Sequence, residues 1–181
     1  MLIRAATPED AEAIAAIYGH HVLHGLGTFE EAPPTPAEME QRRLAIAGQG
    51  LPYLVAQEGG QILGYAYAGP FRPRAAYRFT VEDSVYVAPH AVGKGVGRAV
   101  LSAVLGACEG LGLRQVMAVI GDSGNAASIG LHRALGFEHM GVGRSVGFKH
   151  GRFVDIVWMQ KPLNGGDSRA PDGPGLTLSG H

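Results

Sequence analysis

Residues 92–98 read Val92-Gly93-Lys94-Gly95-Val96-Gly97-Arg98, with glycine at every second position. A β-type run, Ser84-Val85-Tyr86-Val87, precedes them, and an apolar pattern at helical spacing follows. Strand, glycine turn and helix start together form a candidate anion cradle. The first N–H groups of a helix lack intrahelical partners, and the helix dipole favours negative charge there. Glycine lets the backbone approach a phosphate with no side chain between them, so the chemistry suggested is the binding of a pyrophosphate. Lys94 and Arg98 add positive charge beside it. The spacing excludes two common phosphate loops. A P-loop requires G-x-x-x-x-G-K-[ST], but Lys94 follows Gly93 at once and no Ser or Thr comes after it. A dinucleotide fingerprint requires G-x-G-x-x-G in an early βαβ unit, and Gly95-Val96-Gly97 lies mid-chain without the third glycine.

Other groups bear on chemistry. Arg72, Arg74 and Arg78 surround Tyr77 within one short stretch, and arginine suits bidentate recognition of oxyanions. The plain alternative is a basic surface loop. His20, His21 and His24 cluster on one helix, with His20 and His24 four residues apart. No glutamate stands between them as in H-E-x-x-H, so a polar rim or a solvated face is expected and no metal. Cys108 is the lone cysteine, which excludes an internal disulfide, and it falls on an apolar helical stripe as a core residue.

These groups need a scaffold, and the 181 residues suffice for one domain with a sizeable core. The net charge of −1 offers no basic surface for nucleic acid or membrane. No apolar run reaches membrane-span length and no signal-peptide pattern opens the chain, so a cytoplasmic protein is expected. Residues 2–5 read as a strand. Thr7-Pro8 and Thr35-Pro36 each place a cap and a first-position proline before a helix. Residues 53–57 and 61–68 form a hairpin about Glu58-Gly59-Gly60, and 79–87 a long strand. A helix over 97–111, a buried strand over 115–120 and a helix ended by Gly136 follow. Two strands, 137–142 and 153–160, complete the order β-α-α-β-β-β-α-β-α-β-β, a mixed α/β sheet with one central crossover. The domain is expected over 1–163. Residues 164–181, rich in Gly, Pro, Ser and Asp and without periodicity, read as a disordered tail.

The glycine run matches [Q/R]-x-x-G-x-[G/A], with Val92 in the place of Gln or Arg. Further stretches occur in order along residues 2–163: Gly27-Thr28-Phe29-Glu30, Tyr67-Ala68-Gly69-Pro70, Thr80-Val81-Glu82-Asp83-Ser84-Val85-Tyr86-Val87, Leu131-His132-Arg133-Ala134-Leu135-Gly136-Phe137 and Gly147-Phe148-Lys149-His150-Gly151-Arg152. On these the chain resembles the GNAT acetyltransferase superfamily, and within it the phosphinothricin and methionine sulfone–sulfoximine acetyltransferases. The resemblance implies a mostly antiparallel central sheet flanked by helices, acetyl-CoA as cosubstrate, no metal, a small-molecule amine acceptor and a homodimer.

It also implies roles for particular residues. Glu82 lies where the family has its general base, and a carboxylate there would take the proton from the acceptor ammonium. Strand alternation sends Glu82 and Asp83 to opposite sides, so only one of them is expected to face the pocket. His132 takes the place of a group that protonates the departing thiolate, the bland alternative being a helix histidine bonded to a backbone carbonyl. A backbone N–H near Val85 would polarise the acetyl carbonyl. Tyr86 and Val87, the loop Gly93-Lys94-Gly95-Val96-Gly97-Arg98 and Asn125 would hold the pantetheine and pyrophosphate, although Asn125 reads equally as a helix cap. Arg74, Tyr77 and Arg78, with Phe29 as an apolar wall, would bind the acceptor, and Lys149 and Arg152 could shape its pocket. Two other readings stay open: acetylation of a protein N-terminus or another amine, and a non-catalytic acyl-CoA-binding module.

Overall fold

Thr35 and Glu38 close a reciprocal box that starts the second helix. The Thr35 hydroxyl accepts from the Glu38 N–H at 3.2 Å and the Glu38 carboxylate accepts from the Thr35 N–H at 2.7 Å. Thr7 precedes a 3₁₀ turn, Pro8–Asp10, rather than the α-helix itself. Asp10 accepts from the Thr7 N–H at 2.8 Å and from both ends of the Arg4 guanidinium at 2.7 and 2.8 Å, tying this turn to the first strand. These contacts belong to a computed structural model that describes residues 1–178.

Its helices are α1 (Ala11–His24), α2 (Pro36–Gly48), α3 (Val96–Gly110) and α4 (Ala126–Ala134). Its strands are β1 (Leu2–Ala5), β2 (Tyr53–Glu58), β3 (Gln61–Pro70), β4 (Thr80–Val87), β5 (Gln115–Gly121), β6 (Glu138–Lys149) and β7 (Arg152–Pro162). The element order is the expected one, but the last two strands are longer than expected and meet at a tight turn through His150 and Gly151, both at positive φ.

One seven-stranded sheet runs β1-β2-β3-β4-β5-β7-β6, antiparallel at every pairing except β4 with β5. Parallel neighbours need a crossover, and α3 supplies it. The parallel pairing is short. It joins Thr80 to Gln115, Val81 to Val116 and Glu82 to Met117, and ends there. Beyond it β4 stays with β3 as far as Val87, opposite Gly64, while β5 stays with β7 as far as Gly121, opposite Ile156. The sheet therefore opens between β4 and β5.

The Ala88 N–H donates to the Leu63 carbonyl at 2.8 Å, which sets the parity of the β3–β4 ladder. By antiparallel alternation the even-numbered residues of β4 bond to β3, and the backbones of Asp83, Val85 and Val87 turn towards the opening. Side chains alternate too. Tyr86 packs edge-on against Tyr18 of α1, with ring centroids 4.9 Å apart, whereas Val85 and Val87 lie beneath Gly97 at the start of α3. Thus α1 and α2 cover one face and α3 the other. The buried side of α3 carries Val96, Val100, Leu101, Val104, Leu105 and Cys108, as its periodicity predicts.

Composition misleads for the segment after Leu163. Instead of a disordered tail, the structure shows residues 164–178 tied to the domain without helix or strand. Asn164 donates to the carbonyls of Glu109 and Leu113 at 2.9 and 3.0 Å. Buried Arg114 donates to those of Gly166 and Arg169 at 2.8 and 2.7 Å, and the Leu176 N–H to that of Arg78 at 2.8 Å. These bonds run mainly through backbone carbonyls, which leave no periodic trace in the sequence. Residues 179–181 lie outside the described residues.

Candidate active site

The parted strands enclose a cleft of about 360 Å³. Asp83 to Val87 form one wall, residues 118–120 of β5 the other, Gly93 and residues 95–98 line one end, and α4 lies across it. At the glycine end Gly93 and Gly95 adopt left-handed φ of 81° and 78°. A Cβ built on either meets nothing within 4 Å, so the space above the turn is open. Gly95 caps α3 without a side-chain bond, leaving the first-turn amides at Val96, Gly97 and Arg98 without intrahelical partners. Lys94 and Arg98 are exposed beside them, as is Val92, which contributes no polar anchor. Open amides, a helix N-terminus and two cations match what a pyrophosphate requires, and the unpaired edge of β4 matches an amide-bearing arm such as pantetheine.

Asn125 is at the head of α4 and lines the cleft. Its Oδ1 accepts from the Ser128 N–H at 3.1 Å, and its Nδ2 reaches the Gly121 carbonyl at 3.4 Å, so it does serve as a helix cap. His21 of α1 closes the cleft from the other face, its Nε2 lying 2.9 Å from the Val87 carbonyl. Burial lowers the His21 pKa, against the Val87 bond and with help from His20. A neutral ring therefore donates from Nε2 and occupies one acceptor on the free edge of β4.

Glu82 and Asp83 both matter, on opposite faces of β4. Glu82 lies opposite Gly69 of β3, whose added Cβ would meet Ile46 of α2, so its side chain is on the α1–α2 side. Burial raises its carboxyl above the ordinary range, Asp83 adds to the rise, and Arg72 opposes it. Asp83 faces the other way and is 6% exposed, bonded through Oδ2 to His132 Nε2 at 3.0 Å. His132 is 2% exposed, and its Nδ1 lies 2.7 Å from the Ser128 carbonyl. Burial pulls the His132 pKa down, but the hydrogen bond and charge of Asp83, with the Ser128 carbonyl, outweigh it and the net shift is upward. Asp83 escaped the sequence reading, which set it aside as the neighbour of Glu82. Its signal was alternation: it shares a face with Val81, Val85 and Val87, and a carboxylate at a core position demands a partner.

On the α1–α2 side the Tyr18 hydroxyl bonds to Thr28 Oγ1 at 2.7 Å and donates to Glu30 at 2.9 Å, and Arg42 grips the Glu30 carboxylate at 2.6 and 3.1 Å. Buried Lys149 donates to the Thr28 carbonyl at 2.8 Å, and burial pushes its pKa down. These bonds hold the segment that bears Phe29, whose ring packs on Gly147 of β6.

The basic loop is divided. Tyr77 lies edge-on to Phe71, which in turn meets Trp158, with centroids 5.7 and 6.2 Å apart. Arg74 is exposed at the start of a 3₁₀ turn, Ala75–Tyr77. Arg72 stacks over Phe71 at 4.5 Å and is the arginine whose charge Glu82 feels. Arg78 stacks over Phe79 at 5.0 Å, donates to the Ala75 carbonyl at 3.1 Å, and holds Leu176 through its own carbonyl. Arg152 pairs loosely with Asp122 at 3.6 Å. Cys108 is buried, its thiol pushed up to about 12 by burial. Among the described residues there is no group of three His, Cys, Asp or Glu that could hold a metal, and no helix long and apolar enough to cross a membrane.

Comparison with known proteins bears on this geometry. The profile of the acetyltransferase (GNAT) family matches residues 20–137. A phosphinothricin N-acetyltransferase of Alcaligenes faecalis is 55% identical over 170 residues, covering 94% of this chain and 86% of that protein. An L-methionine sulfoximine/L-methionine sulfone acetyltransferase of Pseudomonas paraeruginosa is 44% identical over 163 residues, covering 90% and 94%. The crystal structure of a GNAT superfamily phosphinothricin acetyltransferase from Sinorhizobium meliloti, in complex with acetyl-CoA, superposes with a TM-score of 0.91 at 50% identity, covering 94% of this chain and 92% of that one.

The left-handed turn gives a direct test. Gly95→Val forces a β-branched residue into positive φ, at a cost of about 1–2 kcal/mol. Urea unfolding should show that loss, and calorimetry should show acetyl-CoA binding weakened at least about tenfold, because the amides above α3 are re-aimed. Unchanged affinity would remove the cradle from the binding site.

Proposed function

The chain belongs to the GNAT acetyltransferase family and is an acetyl-CoA-dependent N-acetyltransferase; from that premise we propose that it acetylates the primary amine of a small amino-acid-like acceptor of the phosphinothricin, methionine sulfone or methionine sulfoximine type, with Glu82 as general base. The observation that carries the mechanism is the opened seam. A single strand, β4, presents an unpaired backbone edge to the cleft and a partly buried carboxylate, Glu82, to the face under α1 and α2. Phosphinothricin and L-methionine sulfoximine/L-methionine sulfone, the acceptors in the names of two relatives, support the substrate class. Residues 1–163 form the catalytic unit in this reading.

Acetyl-CoA supplies the acyl group as a thioester. The amides of Val96, Gly97 and Arg98 hold its pyrophosphate, with Lys94 and Arg98 adding charge. The free edge at Val85 and Val87, with Asn125, orients the arm. The Val85 N–H, turned into the seam, polarises the acyl carbonyl. An acceptor ammonium has no lone pair at neutral pH, so Glu82 takes its proton. A carboxyl raised by burial suits that task better than an ordinary glutamate, because its conjugate acid lies nearer the working pH. The freed amine attacks the acyl carbon, and the C–S bond breaks to release CoA as a thiolate that takes a proton from solvent. The acceptor's own carboxylate goes to the arginine-bearing loop, to Arg72 and Arg74, with Tyr77 and Phe29 as walls. Arg72 is preferred to Arg78 because it is the arginine whose charge reaches Glu82.

We also propose that two copies pair through the β6–β7 hairpin, in the cytoplasm where acetyl-CoA is at hand. Met140, Val146, Phe148 and Phe153 are each more than half exposed on these neighbouring strands. Such an apolar patch is unusual on a monomer.

Two measurements check these readings. Thiol release from acetyl-CoA should be fast with phosphinothricin, methionine sulfone and methionine sulfoximine, and slow with polyamines and short peptides. With the best acceptor, Glu82→Gln should lower kcat by about 10²–10⁴ near neutral pH and leave acetyl-CoA affinity within about twofold. The acid limb of kcat/KM, where the base is lost by protonation, should lie above the ordinary glutamate value of about 4.3. Turnover confined to peptides would move the assignment to protein acetylation, and an unimpaired Glu82→Gln enzyme would remove the base. For the dimer, sedimentation should give twice the chain mass, falling to one chain mass in Phe148→Asp/Phe153→Asp; a wild-type monomer would refute the pairing.

A further inference from the structure

The buried Asp83–His132 pair takes no part in the mechanism above, yet it stands where the sheet begins to open. Asp83 is the first residue of β4 beyond the parallel register, which ends at Glu82. The helix α4 lies across the opening, and among the described residues its one side-chain hydrogen bond to β4 is that of His132 to Asp83, at 3.0 Å. The same helix presents Asn125, Ser128 and Leu131 to the cleft. Leu131 also meets the site of a Cβ on Gly97 at 3.3 Å, so the position of α4 is felt at the glycine end as well.

The protonation state follows from the partners. His132 Nδ1 faces the Ser128 carbonyl at 2.7 Å, which only accepts, and Nε2 faces a carboxylate. With Asp83 ionised, Nε2 donates to its carboxylate and Nδ1 to the Ser128 carbonyl, an arrangement that favours the imidazolium and leaves no N–H for the cleft. Among the described residues Asp83 Oδ1 is buried without a hydrogen-bond partner, so a charge on Asp83 depends on His132 for compensation. The other titratable groups that feel Asp83 are Glu82, its chain neighbour on the opposite face, and Cys108 of α3, whose thiol is pushed up to about 12. The ring of His132 is otherwise covered by the edge of Phe137, with centroids 4.9 Å apart.

We propose that Asp83 is a positioning residue for acetyl transfer: with His132 held as an imidazolium, it pins α4 across the opened seam and sets the cofactor cleft, and His132 itself moves no proton. The proposal rests on the acetyl-CoA reading of the cleft, and it departs from the proton-donor role that resemblance suggests for His132.

Two experiments test it. In wild-type protein, long-range ¹H–¹⁵N spectra should show both His132 nitrogens protonated well above the ordinary histidine value of about 6.5, and this needs no variant to fold. A neutral His132 at pH 7 would overturn the proposal. Asp83→Asn keeps an oxygen for Nε2–H but removes the charge, so one His132 nitrogen should lose its proton by pH 7. In steady state the KM for acetyl-CoA should rise about tenfold with kcat within about threefold, as expected when binding geometry and not chemistry is disturbed. A kcat lowered more than about a hundredfold with KM unchanged, or a kcat limb that tracks the His132 titration, would put the pair in the chemistry and refute a positioning role. Calorimetric binding of acetyl-CoA to the wild-type chain is scored separately. Its absence would fail the cofactor reading, while the spectra still decide the state of the pair.

Discussion

β4 and β5 are hydrogen-bonded at three residue pairs and then part, and every feature of the site depends on that parting. Each strand is satisfied on its outer side, β4 by β3 and β5 by β7. The inner edges are left with polar backbone groups that must find partners elsewhere. His21 takes the Val87 carbonyl. The remaining donors and acceptors of Asp83, Val85 and Val87 are offered to whatever enters the cleft. An extended amide-bearing chain can complete such an edge as an added strand would. The crossover that joins the two strands also brings the N-terminus of α3 to the mouth of the opening, so the glycine turn and the free edge come from the same topological event.

Strand alternation then divides the work. Adjacent carboxylates on β4 face opposite sides, and their surroundings give them different fates. Glu82 lies against α2 and the arginine-bearing loop, where burial raises its proton affinity without an ion-pair partner in hand. Asp83 lies beneath α4 with His132 Nε2 at 3.0 Å. A raised carboxyl suits a group that must gain and lose a proton, whereas a compensated buried pair suits one that must stay fixed.

The glycine turn, the element order and the buried face of α3 were legible because each is a local pattern: a turn, a cap or a period. Strands β6 and β7 were read too short because Gly141, Gly143 and Gly147 interrupt the first of them, and register shifts at those places absorb the irregularity. The segment after Leu163 was read as disordered because Arg114 and Asn164 hold it through carbonyls, which any sequence supplies. Choosing between Arg72 and Arg78 required knowing which guanidinium lies near enough to act on Glu82, which local spacing does not give. The Asp83–His132 pair spans 49 residues and joins a strand to a helix, so only the tertiary structure could reveal it.

The central claim is that the opened edge of β4 and the amides above α3 form one continuous acetyl-CoA site. Amide hydrogen exchange with and without acetyl-CoA tests it most directly, because it reads those N–H groups themselves. The account predicts slowed exchange at Val85, Val87 and residues 93–98 together, with β1 and β2 unaffected. Protection confined to another surface, or protection of the glycine turn without that of Val85 and Val87, would contradict it.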